Sequence, residues 1–159
     1  MMNNKTANIE KVIYFDMDGT VASLYEQPNW LETIRAEKPI FENLPPMPNL
    51  DMEYLNRQLI QLQKRGWTIS VTTWTPMDCT DEYHEFTANE KSKWLDKHMP
   101  CVQEFNPLRY GQSKNIPVNP EALNIIFDDN KDVRNDWKGI AFDIHEIHLD
   151  LDKLLHLPL

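Results

Sequence analysis

The sequence predicts an α/β chain, a three-layer sandwich around a mainly parallel, five-stranded sheet. Three observations predict it. Short apolar runs alternate with stretches of helical periodicity, the pattern of parallel strands joined by helices. The runs Val12–Phe15 and Ile125–Phe127 are continuously apolar or aromatic, as in strands buried on both faces. Both runs end in paired acids, and the carboxyl ends of such strands form the ligand crevice of an open parallel sheet.

The elements follow in order. The first strand covers 11–15, and Asp16, Asp18 and Gly19 follow it directly. Residues 21–50 carry Pro28, Pro39, Pro45, Pro46 and Pro48 and are irregular, except for one short helix around Trp30, Leu31 and Ile34. A helix near 51–65 puts Met52, Leu55, Leu59 and Leu62 on one face, with Asn49 or Asp51 as its cap. Lys64, Arg65 and Gly66 supply a basic last turn and a C-cap. Trp67–Thr73 is the second strand. Thr80 caps a helix at 81–98 whose first turn carries Asp81 and Glu82 and which Pro100 stops. The third strand is expected at 101–105 and the fourth at 123–127. A turn or short helix at 132–137, a fifth strand at 139–142 and a terminal helix at 149–157 complete the chain.

Composition narrows the classes of function. The 159 residues fit one domain spanning 1–159, and 41% hydrophobic residues suffice for a core. No apolar run approaches the ~18 residues a membrane span needs. Met1–Thr6 lack the apolar stretch of a secretory signal. Cys79 and Cys101 lack zinc spacing and read as free thiols of a cytoplasmic protein. A net charge of −9 argues against nonspecific binding to duplex nucleic acid.

The chemistry concentrates in the stretch 12–21. A buried strand that delivers Asp16 and Asp18 to one loop sets like charges together in a poorly solvated place. A divalent cation relieves that cost, and oxygen ligands suit Mg²⁺. Gly19 lets the chain turn and lets the backbone approach a ligand. An EF-hand is excluded, because Gly19 falls at the fourth loop position and Gln27 stands where that loop needs Glu. As an ordinary alternative, Asp and Gly are turn residues and the stretch is a plain strand exit. His145 and His148, three apart, lack a third ligand and read as surface residues. Trp137 reads as core beneath the 128–131 loop.

Phe-Asp16-Met-Asp18-Gly-Thr20-Val resembles the first motif of the haloacid dehalogenase superfamily, Asp-x-Asp-x-Thr after a hydrophobic strand. Three further stretches match in order: a strand ending in a hydroxyl at Thr72 or Thr73, a loop lysine at Lys114, and Ile125-Ile126-Phe127-Asp128-Asp129. Within the superfamily the chain is similar to small deoxyribonucleotidase-like members, which share the paired fourth-motif acids and a helix like Lys91-Ser-Lys-Trp94-Leu95.

The resemblance implies a Rossmann-like fold and a Mg²⁺-dependent phosphomonoester hydrolase working through an aspartyl phosphate. Asp16 would be the nucleophile and Asp18 the general acid–base, its main-chain carbonyl also on the metal. Thr73, favoured two to one over Thr72 by strand register, would bind a phosphate oxygen. Lys114, with Lys131 as rival, would hold the phosphate. Asp129 would bind the metal, with Asp128 behind it or Asp132 in its place. Residues 21–50, which hold Tyr25, Trp30 and Arg35, would be a minimal cap; Trp30 or Tyr25 would stack on a base or, as the plainer reading, be ordinary hydrophobic anchors, and Trp74 would wall the site or pack. The expected substrate is a small phosphorylated molecule, with nucleoside monophosphates the first to test. A non-catalytic metal-binding module and a phosphotransferase are the alternatives.

Overall fold

A computed structural model describes residues 8–158, so the N-terminal stretch read above for a signal lies outside the described residues. Five parallel strands form one sheet in the order β3-β2-β1-β4-β5. They are β1 (Lys11–Phe15), β2 (Trp67–Trp74), β3 (Glu104–Leu108), β4 (Leu123–Phe127) and β5 (Ile140–Phe142). The helices are α1 (Trp30–Arg35), α2 (Met52–Lys64), α3 (Asp81–His98), α4 (Lys131–Asp136) and α5 (Ile147–Leu155). β1 is central, with Phe15 beside Val71 on one neighbour and Phe127 on the other. The chain order reverses direction across the sheet on either side of β1, so the ends of β1 and β4 open a crevice.

Alternation along β1 divides the core. Ile13 and Phe15 join a large cluster with Leu55, Leu59 and Leu62 of α2, Trp94 and Leu95 of α3, and Leu151, Leu154 and Leu155 of α5. Val12 and Tyr14 join a smaller cluster on the other face with Ile126, Val133 and Trp137. Trp137 is buried edge-to-face on Tyr14, with ring centroids 5.1 Å apart. It therefore packs as core beneath the 128–131 loop. Asp51 and Thr80 cap α2 and α3 by accepting from Tyr54 N and Tyr83 N.

Two elements shift by more than one residue. β3 begins at Glu104 rather than residue 101, because residues 99–103 form a turn. Val102 N donates to Met99 O, and Gln103 N donates to Ile69 O. Pro107 sits in β3 without breaking the sheet because β3 is an edge strand. The terminal helix starts two residues early, at Ile147, whose side chain is buried in the larger cluster. His148 lies inside that helix. Its Nε2 accepts from Asp51 N at 3.0 Å and its Nδ1 meets Gln58 Oε1 at 2.8 Å. It ties α5 to α2, while the exposed His145 lies 3.5 Å from Asp143.

The segment 21–50 folds back over the sheet and is held to α3. Tyr83 Oη donates to Lys38 O, and Trp94 Nε1 to Leu44 O. The buried Glu90 carboxylate accepts from Ile40 N and Glu42 N. Among the described residues no helix is long and apolar enough to cross a membrane.

Candidate active site

The ends of β1 and β4 are stitched together by Asp16 N donating to Phe127 O at 3.0 Å. That contact places the acids of the first and fourth motifs side by side. Carboxylate oxygens of Asp16, Asp128 and Asp129 lie within 4.8 Å of one another. Lys114, only 3% exposed, reaches in from the loop before β4. Its ammonium donates to Asp16 Oδ1 and to Asp128 Oδ2, each at 2.7 Å. Thr20 lies between the two motifs. Its hydroxyl is 3.2 Å from both Asp16 Oδ2 and Asp129 Oδ1 and accepts from Asp129 N at 3.3 Å.

The turn after β1 requires glycine. Gly19 has φ +79, and a Cβ there would stand 2.5 Å from Asp129 Oδ2 and 2.8 Å from the Tyr25 ring. Its absence lets the first-motif loop pass against the fourth-motif acid.

Asp18 points elsewhere. Its Oδ2 accepts from Lys91 Nζ of α3 at 2.7 Å. Its Oδ1 is buried and has no hydrogen-bond partner among the described residues. The Asp18 carboxylate is therefore not one of the three clustered acids, and the group of Asp18 expected on a metal is its main-chain carbonyl. Asp132 and Lys131 are also separate, at the exposed first turn of α4, where Asn130 Oδ1 caps the helix.

Both candidates for the second-motif hydroxyl lie at the end of β2. Thr72 is buried, within 3.4 Å of Asn106 Nδ2. Thr73 is buried too, and its hydroxyl accepts from Lys91 Nζ at 2.9 Å. Neither lines the cavity, whereas Thr75 does. The reason is that β2 runs one residue past Thr73, so the first hydroxyl beyond the strand end is Thr75. Thr75 lies 2.6 Å from His84 Nδ1. The sequence signal for Thr75 is the Thr-Trp-Thr-Pro stretch 73–76, where a second hydroxyl follows two residues after Thr73. Thr20 and Lys91 were likewise visible only as members of quoted motifs.

A cavity of about 320 Å³ opens over these groups. Asp16, Asp18, Lys114, Asp128 and Asp129 form its floor, and Tyr25, Trp30, Arg35 and Phe41 of the insert, with Trp74 and Tyr110, give it aromatic walls. Tyr25 and Trp30 pack edge-to-face, with centroids 5.0 Å apart. Trp74 and Tyr110 pack with centroids 4.9 Å apart.

The electrostatics follow from crowding. Burial, and then the Asp16 charge, push both Asp128 and Asp129 well above the usual carboxylate range. Burial also raises Asp18, and the Lys91 ammonium only partly opposes it. Burial alone would lower the Lys114 ammonium, but the charges of Asp16 and Asp128 outweigh it and hold the group protonated. Burial and the nearby carboxylates keep the Tyr25 phenol neutral.

Three clustered acids thus share one ammonium, Lys114, and a divalent cation beside them would relieve the crowding. Octahedral Mg²⁺ with ~2.1 Å bonds spaces opposite ligands about 4.2 Å apart, which the three-acid cluster can span. The donor set consists of oxygens alone, which suits that ion.

No protein-family model and no curated protein matches the sequence. Solved structures do match. One is a chain in the structure of the Pnkp1/Rnl/Hen1 RNA repair complex, at TM-score 0.55 and 14% identity. That match covers 87% of this chain and 43% of the other, so this chain spans less than half the length of that neighbour. Another is D,D-heptose 1,7-bisphosphate phosphatase from Burkholderia thailandensis, at TM-score 0.50 and 12% identity, covering 88% of this chain and 97% of that one. At these identities the likeness is one of fold.

Proposed function

From a haloacid dehalogenase-like fold with buried acids gathered at the ends of β1 and β4, we propose that this chain is a Mg²⁺-dependent phosphomonoester hydrolase acting through an aspartyl phosphate. The observation that carries the reading is one ammonium, Lys114, held 2.7 Å from both Asp16 and Asp128 at the floor of an open cavity. A phosphatase among the similar structures supports it.

Asp129 is the first choice of metal ligand with Asp16. Asp128 already accepts from Lys114 on one oxygen and from Asn130 N, at 2.9 Å, on the other. That arrangement makes Asp128 the orienting partner behind them. A bound Mg²⁺ supplies charge neutralisation for the phosphoryl oxygens. Lys114 does the same, with its third proton free for a phosphate oxygen.

The Asp16 carboxylate attacks phosphorus in line and the bond to the ester oxygen breaks. Asp18 gives its proton to that departing oxygen. The resulting Asp18 carboxylate then takes a proton from water. The water oxygen attacks phosphorus, the bond to Asp16 breaks, and inorganic phosphate leaves. Thr75, at the cavity wall, is the hydroxyl placed for a phosphate oxygen.

The insert acts as a minimal cap, and its aromatic wall suits a substrate that carries a planar ring away from the phosphate, such as the base of a nucleoside monophosphate, whose leaving group is the nucleoside alcohol. The test is hydrolysis of an aryl phosphate with Mg²⁺, beside an Asp16→Asn variant. Turnover abolished in that variant supports the reading. No turnover over a broad phosphate panel, with metal still bound, favours a binding module. Turnover that needs an added acceptor alcohol favours a phosphotransferase. A nucleoside monophosphate preferred over sugar phosphates supports the narrower substrate class.

A further inference from the structure

Lys91 lies fully buried in the middle of α3, with no exposed side-chain surface. A buried ammonium persists only where its protons find acceptors. Lys91 has three protons and three acceptors: Asp18 Oδ2 at 2.7 Å, Trp74 O at 2.8 Å and Thr73 Oγ1 at 2.9 Å. Phe41 of the insert lies across it, its ring centroid 4.6 Å from Nζ. No proton is left for a substrate, so Lys91 does not bind phosphate as Lys114 can.

Fixed acceptors on two sides make the ammonium a rigid post. Trp74 O belongs to β2 and Thr73 Oγ1 to the residue beside it, so Nζ is set relative to the sheet rather than to the loop. The post then captures one oxygen of Asp18. The other oxygen, Oδ1, is buried with no partner among the described residues, so the Lys91 contact is the one that fixes how Asp18 lines the cavity.

We infer that Lys91 is a positioning residue that clamps one oxygen of Asp18 and so holds the Asp18 carboxyl, at the wall of the cavity, in place for the leaving group and the attacking water. The inference rests on the phosphatase reading and on the acid–base role of Asp18. It adds α3 to the catalytic apparatus and explains a buried charge that the chemistry does not otherwise use.

The test compares wild type with Lys91→Gln on an aryl phosphate, whose leaving group departs unaided, and on an alkyl phosphate, which needs a proton. Losing the clamp slows both proton transfers, each of which contributes about 10² or more. For the alkyl phosphate, kcat/KM falls about 10²-fold. For the aryl phosphate, only hydrolysis of the phosphorylated Asp16 slows, so kcat and KM fall together and kcat/KM is held. A burst of aryl alcohol precedes the slow steady state.

A merely structural role for Lys91 lowers kcat/KM equally on both esters, and that result overturns the inference, as does an unchanged variant. If Lys91→Gln fails to fold, Thr73→Val removes one of the three acceptors and gives a smaller split in the same direction; an equal loss on both esters again overturns the inference. A wild-type protein inert toward both esters sinks the phosphatase reading itself, and this inference with it.

Discussion

Replacing Gly19 with alanine tests the geometry that joins the first and fourth motifs. Two costs follow from the structure. The first is backbone: at φ +79 an L side chain loses about 1–2 kcal/mol. The second is collision. The new Cβ would stand 2.5 Å from Asp129 Oδ2 and 2.8 Å from the Tyr25 ring. Ordinary contact is about 3.5 Å, so the carboxylate must retreat by roughly 1 Å. A Mg²⁺ ligand demands ~2.1 Å and near-octahedral angles, so that retreat removes a ligand or distorts it.

Gly111→Ala is the control. Its φ is +83, yet nothing lies within 4 Å of the added carbon. Both variants should lose about 1–2 kcal/mol from the backbone, which for a chain of this size lowers Tm by about 2–8 °C, and Gly19→Ala should lose more through the collision. Only Gly19→Ala should also weaken Mg²⁺ binding, by about 10–100-fold, and lower kcat by about 10²-fold. Thermal melts and titration calorimetry with Mg²⁺ read the two effects separately. A Gly19→Ala protein that binds Mg²⁺ like wild type would refute the placement of Asp129 against the turn.

Lys114→Met leaves Asp16 and Asp128 buried without their shared cation. It should cost about 3–5 kcal/mol at neutral pH, and Mg²⁺ should restore part of it; urea melts with and without the ion measure both. In chelator, Asp129, raised toward about 8, and Asp128, raised to about 6, bind protons more tightly folded than unfolded. The folded state therefore carries more protons in that window, and stability should fall as pH climbs from about 4 toward 8. Mg²⁺ at 100 times its Kd should add about 2.7 kcal/mol at the upper end; melting temperatures that stay flat with pH in chelator would contradict the crowding of the acids. Glu90→Ala strips the acceptor from Ile40 N and Glu42 N, so residues 38–44 should exchange amide hydrogen faster, with a stability loss of about 1–3 kcal/mol.

The sequence by itself determined the sheet and most of its order of elements. Hydrophobic runs and helix caps are local, so Val12–Phe15, the Leu55–Leu59–Leu62 stripe and the Thr80 cap read correctly from neighbours along the chain. The acids at strand ends were equally legible, because a parallel sheet sends those ends to one edge. Tertiary structure alone decided the partners. Nothing near Lys91 in the chain reveals that its ammonium meets Asp18, 73 residues away, or that Thr20 spans 109 residues to bridge Asp16 to Asp129. It also decided that Thr75 and not Thr73 reaches the cavity, since β2 ends at Trp74 and the Thr73 hydroxyl is taken up by Lys91. Periodicity fixes which face a residue takes, but the pairing of buried charges depends on which remote groups the packed helices bring within about 3 Å, and that distance is set only once the core has closed.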